Sequence, residues 1–238
     1  MEQDRVNIQW YPGHMTKTRR QIEADLKLVD AVCEIVDARI PIASRNPDID
    51  SICGNKPRIV ILNRMDLADP EATKRWMAYF RSKGMAAVAT DCKSRKGIND
   101  FKPAVQALLH EKVARFAAKG MTKALRVMVV GIPNVGLLLA YTGAVKENVI
   151  DMEDLASRLM ALLWQRYPDA IRARYGIEEP EESTGFLGYD LLIEAGRKRG
   201  FLMARGEINT ERMAKVLIDE FRSGKLGCFT LEEPEDAQ

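Results

Sequence analysis

Cysteine, histidine and long apolar runs are scarce in this sequence, and each shortage excludes a class of protein. The 238 residues include 4 cysteines, with no Cys-x-x-Cys pair, and 2 histidines, which excludes a recognisable zinc site and argues against a disulfide framework. No apolar run reaches the roughly 20 residues that a bilayer-spanning helix needs. The first ten residues are partly acidic and lack an apolar segment, so we expect no signal peptide. The sequence therefore predicts a cytoplasmic globular protein.

The net charge of +2 conceals an uneven distribution along the chain. Residues 1–150 carry 24 Lys and Arg against 16 Asp and Glu, whereas residues 151–238 carry 12 against 18. A basic first part is compatible with a polyanionic partner, although an ordinary solvated surface has the same composition.

Four short apolar runs predict buried parallel strands, at 31–36, 58–62, 86–89 and 125–130. Stretches with helical periodicity lie between them, which indicates an α/β domain whose parallel sheet is covered by helices on both faces. Such sheets bind ligands at the carboxyl ends of their strands, so we expect the functional residues directly after each strand.

The strand signal ends near residue 150, and two apolar helical stripes follow, around Leu155–Leu163 and Met213–Phe221. We therefore predict a first domain over 1–150 and a small all-helical domain over 151–238. The stretch between the stripes, with residues 178–184 and several glycines, is expected to connect them. The acidic tail 232–238 is expected to be disordered.

The second predicted strand ends in Asn63-Arg64-Met65-Asp66. In such a loop Asp66 can accept two hydrogen bonds from the N1–H and N2–H₂ edge of guanine, a donor pair that adenine lacks. Asn63 would tie the loop to its neighbours, and the stem of Arg64 could lie along the purine face. The alternative is that Asn63 and Asp66 merely form a turn and cap the helix that starts near Pro70.

Two further loops follow predicted strands. Gly131-Ile-Pro133-Asn134-Val135-Gly136 has the glycine spacing of the first half of a phosphate loop, in which backbone N–H groups cradle phosphate oxygens. The loop at Asp91-Cys92 follows the next strand after Asn63, and in a guanine site that loop contributes backbone N–H groups to guanine O6.

Five segments together resemble the bacterial ribosome biogenesis GTPase A family, whose GTPase motifs run in circularly permuted order. They are WYPGHM (10–15), DARIPIASRNP (37–47), NRMD (63–66), GIPNVG (131–136) and LAYTGAVKENVID (139–151). The resemblance covers nearly the whole chain. It implies a permuted GTPase domain followed by a helical domain, GTP/GDP with Mg²⁺ and K⁺ as cofactors, and immature large ribosomal subunits (rRNA and ribosomal proteins) as partners of a protein that is monomeric away from the ribosome.

The resemblance also implies roles for single residues. Asn63, Arg64 and Asp66 would read guanine, and Asp91-Cys92 would approach O6. The segment Gly131–Gly136 would hold the phosphates, with Asn134 coordinating K⁺. His14 is the candidate for orienting the attacking water.

The sequence departs from the family after Gly136, where a phosphate loop continues with Lys and Ser/Thr but this chain continues with three leucines. The switch segments, with their Mg²⁺-binding Thr, are missing as well, together with two strands of the sheet. Two explanations are open: the sequence as written omits a stretch that the molecule contains, or the chain is truncated there. The first is favoured, because the loss of two strands leaves a large exposed edge. Under the second, the protein is a catalytically inactive ribosome- or RNA-binding scaffold that retains the GTPase fold.

Overall fold

A computed structural model describes residues 22, 24–46, 49–131, 141–142, 151–178, 186–203 and 206–237. The chain divides into two compact units. Unit 1 contains residues 1–135 and 232–238, and unit 2 contains residues 136–231. The division therefore differs from the expected boundary near residue 150, and the end of the chain returns to unit 1.

Unit 1 contains a four-stranded parallel sheet. Its strands are β1 (Ala31–Asp37), β2 (Arg58–Asn63), β3 (Ala86–Thr90) and β4 (Val127–Gly131), in the order β3-β2-β1-β4. All four predicted strands are confirmed. They could be predicted because each is a short run of apolar residues bounded by polar or glycine-containing segments.

Four helices of unit 1 connect or follow these strands: α1 (Ile49–Cys53), α2 (Pro70–Ser82), α3 (Phe101–Leu108) and α4 (His110–Ala117). Helix α2 begins where Asp69 accepts hydrogen bonds from the N–H groups of Glu71 and Ala72, with Pro70 in the first turn. Helices α3 and α4 meet at Leu109.

The strands bury both faces of the sheet, as the continuous apolar runs predict. On one face, Val60 and Leu62 pack with Trp76 and Phe80 of α2. On the other face the core includes residues of β1, β2 and β3 and of α3, namely Cys33, Ile59, Ile61, Val88 and Val105. The fold class predicted from the sequence, an α/β layer structure with helices on both faces, is thus confirmed.

Strand β4 lies at one edge of the sheet. Within the described residues it pairs only with β1, and Val129 is 59% exposed. An exposed apolar edge strand is unusual in a native sheet. The edge is the one that the loss of two strands was expected to expose.

Unit 2 is helical in its described part, with α5 (Met152–Arg166), α6 (Pro168–Tyr175), α7 (Leu187–Lys198) and α8 (Thr210–Ser223). The two predicted stripes are α5 and α8, and the Asn209 side chain caps α8 by accepting a hydrogen bond from the Arg212 N–H at 2.8 Å. The stretch expected to be a connector instead contains α6 and α7. Within the described residues, no helix combines the length and apolar character that crossing a membrane requires.

The acidic tail also differs from its expectation of disorder. Residues Glu232 to Ala237 lie against unit 1, where Glu233 pairs with Arg75 and the Trp76 indole donates to the Glu232 carbonyl oxygen. Specific partners that are distant in sequence thus order a segment whose composition alone suggests a solvated tail.

A buried carboxylate organises unit 2. Glu220 of α8 accepts hydrogen bonds from Arg174 Nε (3.1 Å) and from the Tyr175 hydroxyl (2.9 Å), and Arg199 lies 3.4 Å away. Burial by itself raises the pKa of Glu220, but the hydrogen bonds from Arg174 and Tyr175 and the charges of Arg174 and Arg199 outweigh it, so the pKa lies below its usual range. Burial raises the pKa of Tyr175, which stays a hydrogen-bond donor.

We predict that the free energy of unfolding of unit 2 depends on pH through Glu220. Because the folded pKa is lowered, this stabilisation is complete above the unfolded pKa of about 4.3 and is lost as the pH falls through the folded value. Glu220→Gln should cost about 1–3 kcal/mol at pH 7, and its difference from the unaltered protein should shrink below pH about 4. Urea unfolding with hydrogen exchange of α5 and α8 measures both quantities, and Asp219→Asn is the control. A difference that does not change with pH would contradict the assignment.

Candidate functional site

The carboxyl ends of the four strands lie along one edge of the sheet. Asp37 of β1 is in register with Asn63 of β2, and Asn63 is in register with Thr90 of β3. On the other side of β1, Gly131 is in register with Ile35. Strands β2 and β4 flank β1 and are therefore two strand spacings apart, about 10 Å. The loop predicted to bind guanine and the start of the loop predicted to bind phosphate thus lie on either side of β1.

The side-chain amide of Asn63 joins the loops that follow β2 and β3. Its Oδ1 accepts a hydrogen bond from the N–H of Cys92 at 3.1 Å and a longer one from the Thr90 hydroxyl at 3.4 Å. The N–H of Met65 adds a third link by donating to the Thr90 carbonyl oxygen at 3.1 Å. The expectation that Asn63 ties its loop to its neighbours is confirmed.

The backbone of Arg64 turns the chain sharply after β2. Its φ of 61° lies in the left-handed region, which is uncommon for a residue other than glycine. Its side chain is half-exposed, and Nη1 lies 4.0 Å from Oδ2 of Asp37. The loop thus directs a cation along the carboxyl edge of the sheet, towards the end of β1.

Asp66 is exposed at the end of this loop. The N-cap of α2 is Asp69, three residues further on, so the helix does not require Asp66 for capping. Asp66 lies in a turn in which the Leu67 N–H donates to the Arg64 carbonyl oxygen at 3.0 Å, so the turn half of the alternative agrees with the structure. The role of Asp66 in base recognition stays a prediction.

The loop after β3 lies beside Asn63 as expected, but its backbone N–H groups are already engaged. Asp91 donates its N–H to the Lys96 carbonyl oxygen at 2.9 Å, and Cys92 donates to Asn63. The predicted contact from these two N–H groups to guanine O6 is therefore not available in this arrangement.

The carboxylate of Asp91 organises the turn from inside. It accepts hydrogen bonds from the N–H groups of Lys93 (2.9 Å) and Ser94 (3.3 Å). The pKa of Asp91 is lowered, chiefly by a hydrogen bond from the Ser94 side chain. Gly97 closes the turn with φ 77°, and a Cβ there would overlap the Ala89 carbonyl oxygen. The loop is thus a packed turn held against β3.

Sequence reasoning missed the chemistry of the segment after β1. Arg39 is fully buried and binds the Asp37 carboxylate through Nε (3.0 Å) and Nη2 (2.8 Å). Ser44 closes the same segment, since its hydroxyl oxygen accepts the Asp37 N–H at 2.8 Å and donates to the Ile40 carbonyl oxygen at 2.7 Å. The motif DARIPIASRNP (37–47) contains these residues. It contributed to the family resemblance, but its residue types alone indicate no ligand chemistry.

The phosphate side of the site is described only at its start. Gly131 is exposed at the end of β4. The other predicted phosphate-loop residues, Pro133, Asn134, Val135 and Gly136, lie outside the described residues, and so does His14. In the part of the chain that the structure describes, no group of three or more His, Cys, Asp or Glu side chains could hold a metal ion.

Comparison with known proteins places this site in context. No family model matches the chain. The chain is 36% identical to the "Ribosome biogenesis GTPase A" of Priestia megaterium, over 98% of this chain and 99% of that protein. It is 37% identical to the protein of the same name from Bacillus licheniformis, over 96% and 99% of the two chains. Among solved structures, the GNP-bound YlqF of T. maritima matches with a TM-score of 0.51 and 25% identity, over 92% of this chain and 99% of that chain.

The length of the alignment shows that this chain is shorter than the relative over the matched region. The alignment with the Priestia megaterium protein has 290 positions, which exceeds the 238 residues of this chain by 52. At least that many positions of the relative therefore have no counterpart here, although both chains are covered almost from end to end. Identity above 30% over nearly the full length of both proteins establishes the relationship. The chain belongs to the ribosome biogenesis GTPase A family.

Proposed function

We propose that this protein binds guanine nucleotides and acts as a GTPase in ribosome assembly. The observation that carries the proposal is the junction of the loops after β2 and β3 by Asn63, with Asp66 exposed at the same edge of the sheet. Its relatives are named ribosome biogenesis GTPases, and a structural relative was solved with GNP, a GTP analogue.

In this proposal Asp66 selects the base. Its carboxylate accepts two hydrogen bonds from the N1–H and N2–H₂ edge of guanine, and adenine offers no matching donor pair. Arg64 lays its aliphatic stem along the purine face, which its left-handed backbone and half-exposed side chain allow. Asp91 and Cys92 form the wall of the base site, with their N–H groups held by Lys96 and Asn63.

The phosphates belong on the opposite side of β1 in the same proposal. Gly131, Pro133, Val135 and Gly136 would turn backbone N–H groups towards the phosphate oxygens. Asn134 would coordinate K⁺ near the transferring phosphate, and His14 would orient the attacking water.

The residue types that bind Mg²⁺ in a phosphate loop are missing from this sequence. The sequence after Gly136 has no Lys-Ser/Thr pair, and the described residues contain no cluster suited to a metal. The residues present therefore do not fit a Mg²⁺ site, and no step is assigned to that ion.

The finer identity of the partner is part of the proposal. We infer that the protein acts on the immature large ribosomal subunit, with contacts to rRNA through local basic clusters. Candidate clusters are Lys17, Arg19 and Arg20 near the start of the chain, and Arg197–Arg199 at the end of α7. Within the second cluster, Arg197 pairs with Glu194 and Arg199 with Glu220, so an RNA phosphate would have to compete with these carboxylates.

We predict that Asp66→Asn changes the base preference. Asparagine presents a donor as well as an acceptor, so the variant should lose about 10- to 100-fold in affinity for GDP, as expected for a charge-assisted pair, and gain affinity for XDP. Fluorescence titration with labelled GDP and XDP measures both effects. Asp69→Asn is the matched control, since Asp69 caps α2 and should affect stability without changing base preference. An unchanged GDP/XDP preference in the Asp66 variant would refute the base site.

We predict that the molecule contains a segment after Gly136 that the 238-residue sequence omits, and that GTP hydrolysis depends on it. Any preparation that hydrolyses GTP in K⁺ should therefore have an intact mass above the 26.8 kDa of the 238-residue chain. Mass spectrometry gives the intact mass, and a phosphate-release assay on the same preparation gives the rate of GTP hydrolysis. Turnover by a protein of 26.8 kDa would show that the phosphate chemistry is assigned to the wrong segment.

A further inference from the structure

The tail of the chain holds the loop that follows β1, here called the β1 loop (residues 38–46). Glu232 is 9% exposed, and its carboxylate accepts the backbone N–H of Ile42 at 2.7 Å and that of Ala43 at 3.0 Å. Two hydrogen bonds to one carboxyl group fix the position of both N–H donors. The last residues of the chain thus bind a loop that lies 190 positions earlier in the sequence.

The main chain of the tail is itself anchored on α2. The Trp76 indole N–H donates to the Glu232 carbonyl oxygen at 3.0 Å, and Arg75 forms two hydrogen bonds with Glu233, at 3.0 and 2.8 Å. The Tyr79 hydroxyl donates to the Ala237 carbonyl oxygen at 3.4 Å. Because Trp76 is fully buried, the backbone of Glu232 is held by the core of unit 1.

The β1 loop is the segment that presents the end of β1 to the candidate site. It begins next to Asp37, which is in register with Asn63, and it contains the buried Arg39 that binds the Asp37 carboxylate. Ser44 bonds the two ends of the loop to each other, and Glu232 bonds its middle. Displacement of Glu232 would therefore free the middle of the loop and loosen the Asp37–Arg39 pair, between the base and phosphate sides of the site.

The residues just before Glu232 are fixed within unit 2. The Tyr167 hydroxyl accepts the Thr230 N–H at 3.1 Å, and the Phe229 ring stacks against Phe221. The division between the two units falls between Leu231 and Glu232. Glu232 is therefore the first residue of the tail segment that belongs to unit 1.

We propose that Glu232 is a positioning residue of the nucleotide site, whose hydrogen bonds to the β1 loop raise the affinity for guanine nucleotide. Displacing the tail releases the β1 loop and weakens nucleotide binding. By linkage, nucleotide binding stabilises the docked tail to the same extent. This inference rests on the proposed function, because it concerns the affinity of that same site.

The test compares Glu232→Ala and Glu232→Gln with Glu233→Ala in the full chain. Glu233 is the matched control, because it is the next residue of the tail and pairs with Arg75 of α2. Hydrogen exchange of residues 38–46 reports the loop without nucleotide, and titration with labelled GDP reports the site.

Glu232→Ala should raise the exchange rates of the Ile42 and Ala43 amides about tenfold and the Kd for GDP about five- to twentyfold, the range expected when charge-assisted hydrogen bonds are lost. Glu232→Gln keeps one acceptor oxygen, so its changes in exchange rate and in Kd should be at most half those of Glu232→Ala on a logarithmic scale. For Glu233→Ala, both quantities should stay within about twofold of the unaltered protein.

Faster exchange with an unchanged Kd would overturn the inference while leaving the proposed function intact. Equal effects of Glu232→Ala and Glu233→Ala on the Kd would also overturn it, since they would indicate general loosening of the tail. Failure of the unaltered protein to bind GDP would refute the proposed function instead, and unchanged exchange of the β1 loop in Glu232→Ala would then overturn the positioning role independently.

Discussion

The parallel pairing of the four strands is the constraint on which the candidate site depends. Parallel strands place all their carboxyl ends at one edge, so segments that are far apart in sequence meet there without any further interaction. In this chain the pairing aligns Asp37, Asn63 and Thr90 in one row and places Gly131 on the other side of β1. The order of the motifs along the chain is therefore secondary, because the sheet fixes which loops are neighbours.

Within that arrangement the loops are held by a small number of polar groups. The Asn63 amide joins the loops after β2 and β3, the Asp91 carboxylate fixes the turn after β3, and Glu232 fixes the β1 loop. Each acceptor binds backbone N–H groups, which leaves few of them for a ligand on the base side. Under the proposed function, base recognition is assigned to side chains, chiefly Asp66, and phosphate recognition to backbone N–H groups near Gly131.

The sheet could be predicted because its signal is local. The run Arg58–Asn63, for example, is short and rich in β-branched residues between polar ends, which distinguishes it from the longer helices. The polar segments at the ends of β2 and β3 could be identified for the same reason, since Asn63 ends one buried strand and Asp91 follows the other.

Features that depend on partners distant in sequence could not be predicted. Gly188 and Gly196 suggested a connector, yet both lie in α7, where a Cβ would overlap the Ser157 carbonyl oxygen or crowd Ile208. Glycine there permits close helix packing, which composition cannot distinguish from a break in a helix. The acidic tail was missed because its order comes from Trp76 and from the β1 loop, far away in the chain.

The selectivity of the unaltered protein between GDP and ADP tests the central claim most directly. Isothermal titration of both nucleotides under the same conditions gives the two dissociation constants. If the loops joined by Asn63 form a guanine site, GDP should bind at least about 100-fold more tightly than ADP, since only guanine satisfies the Asp66 carboxylate. Equal affinities for the two nucleotides would contradict the account, because they would mean that the carboxyl edge of this sheet does not read the base.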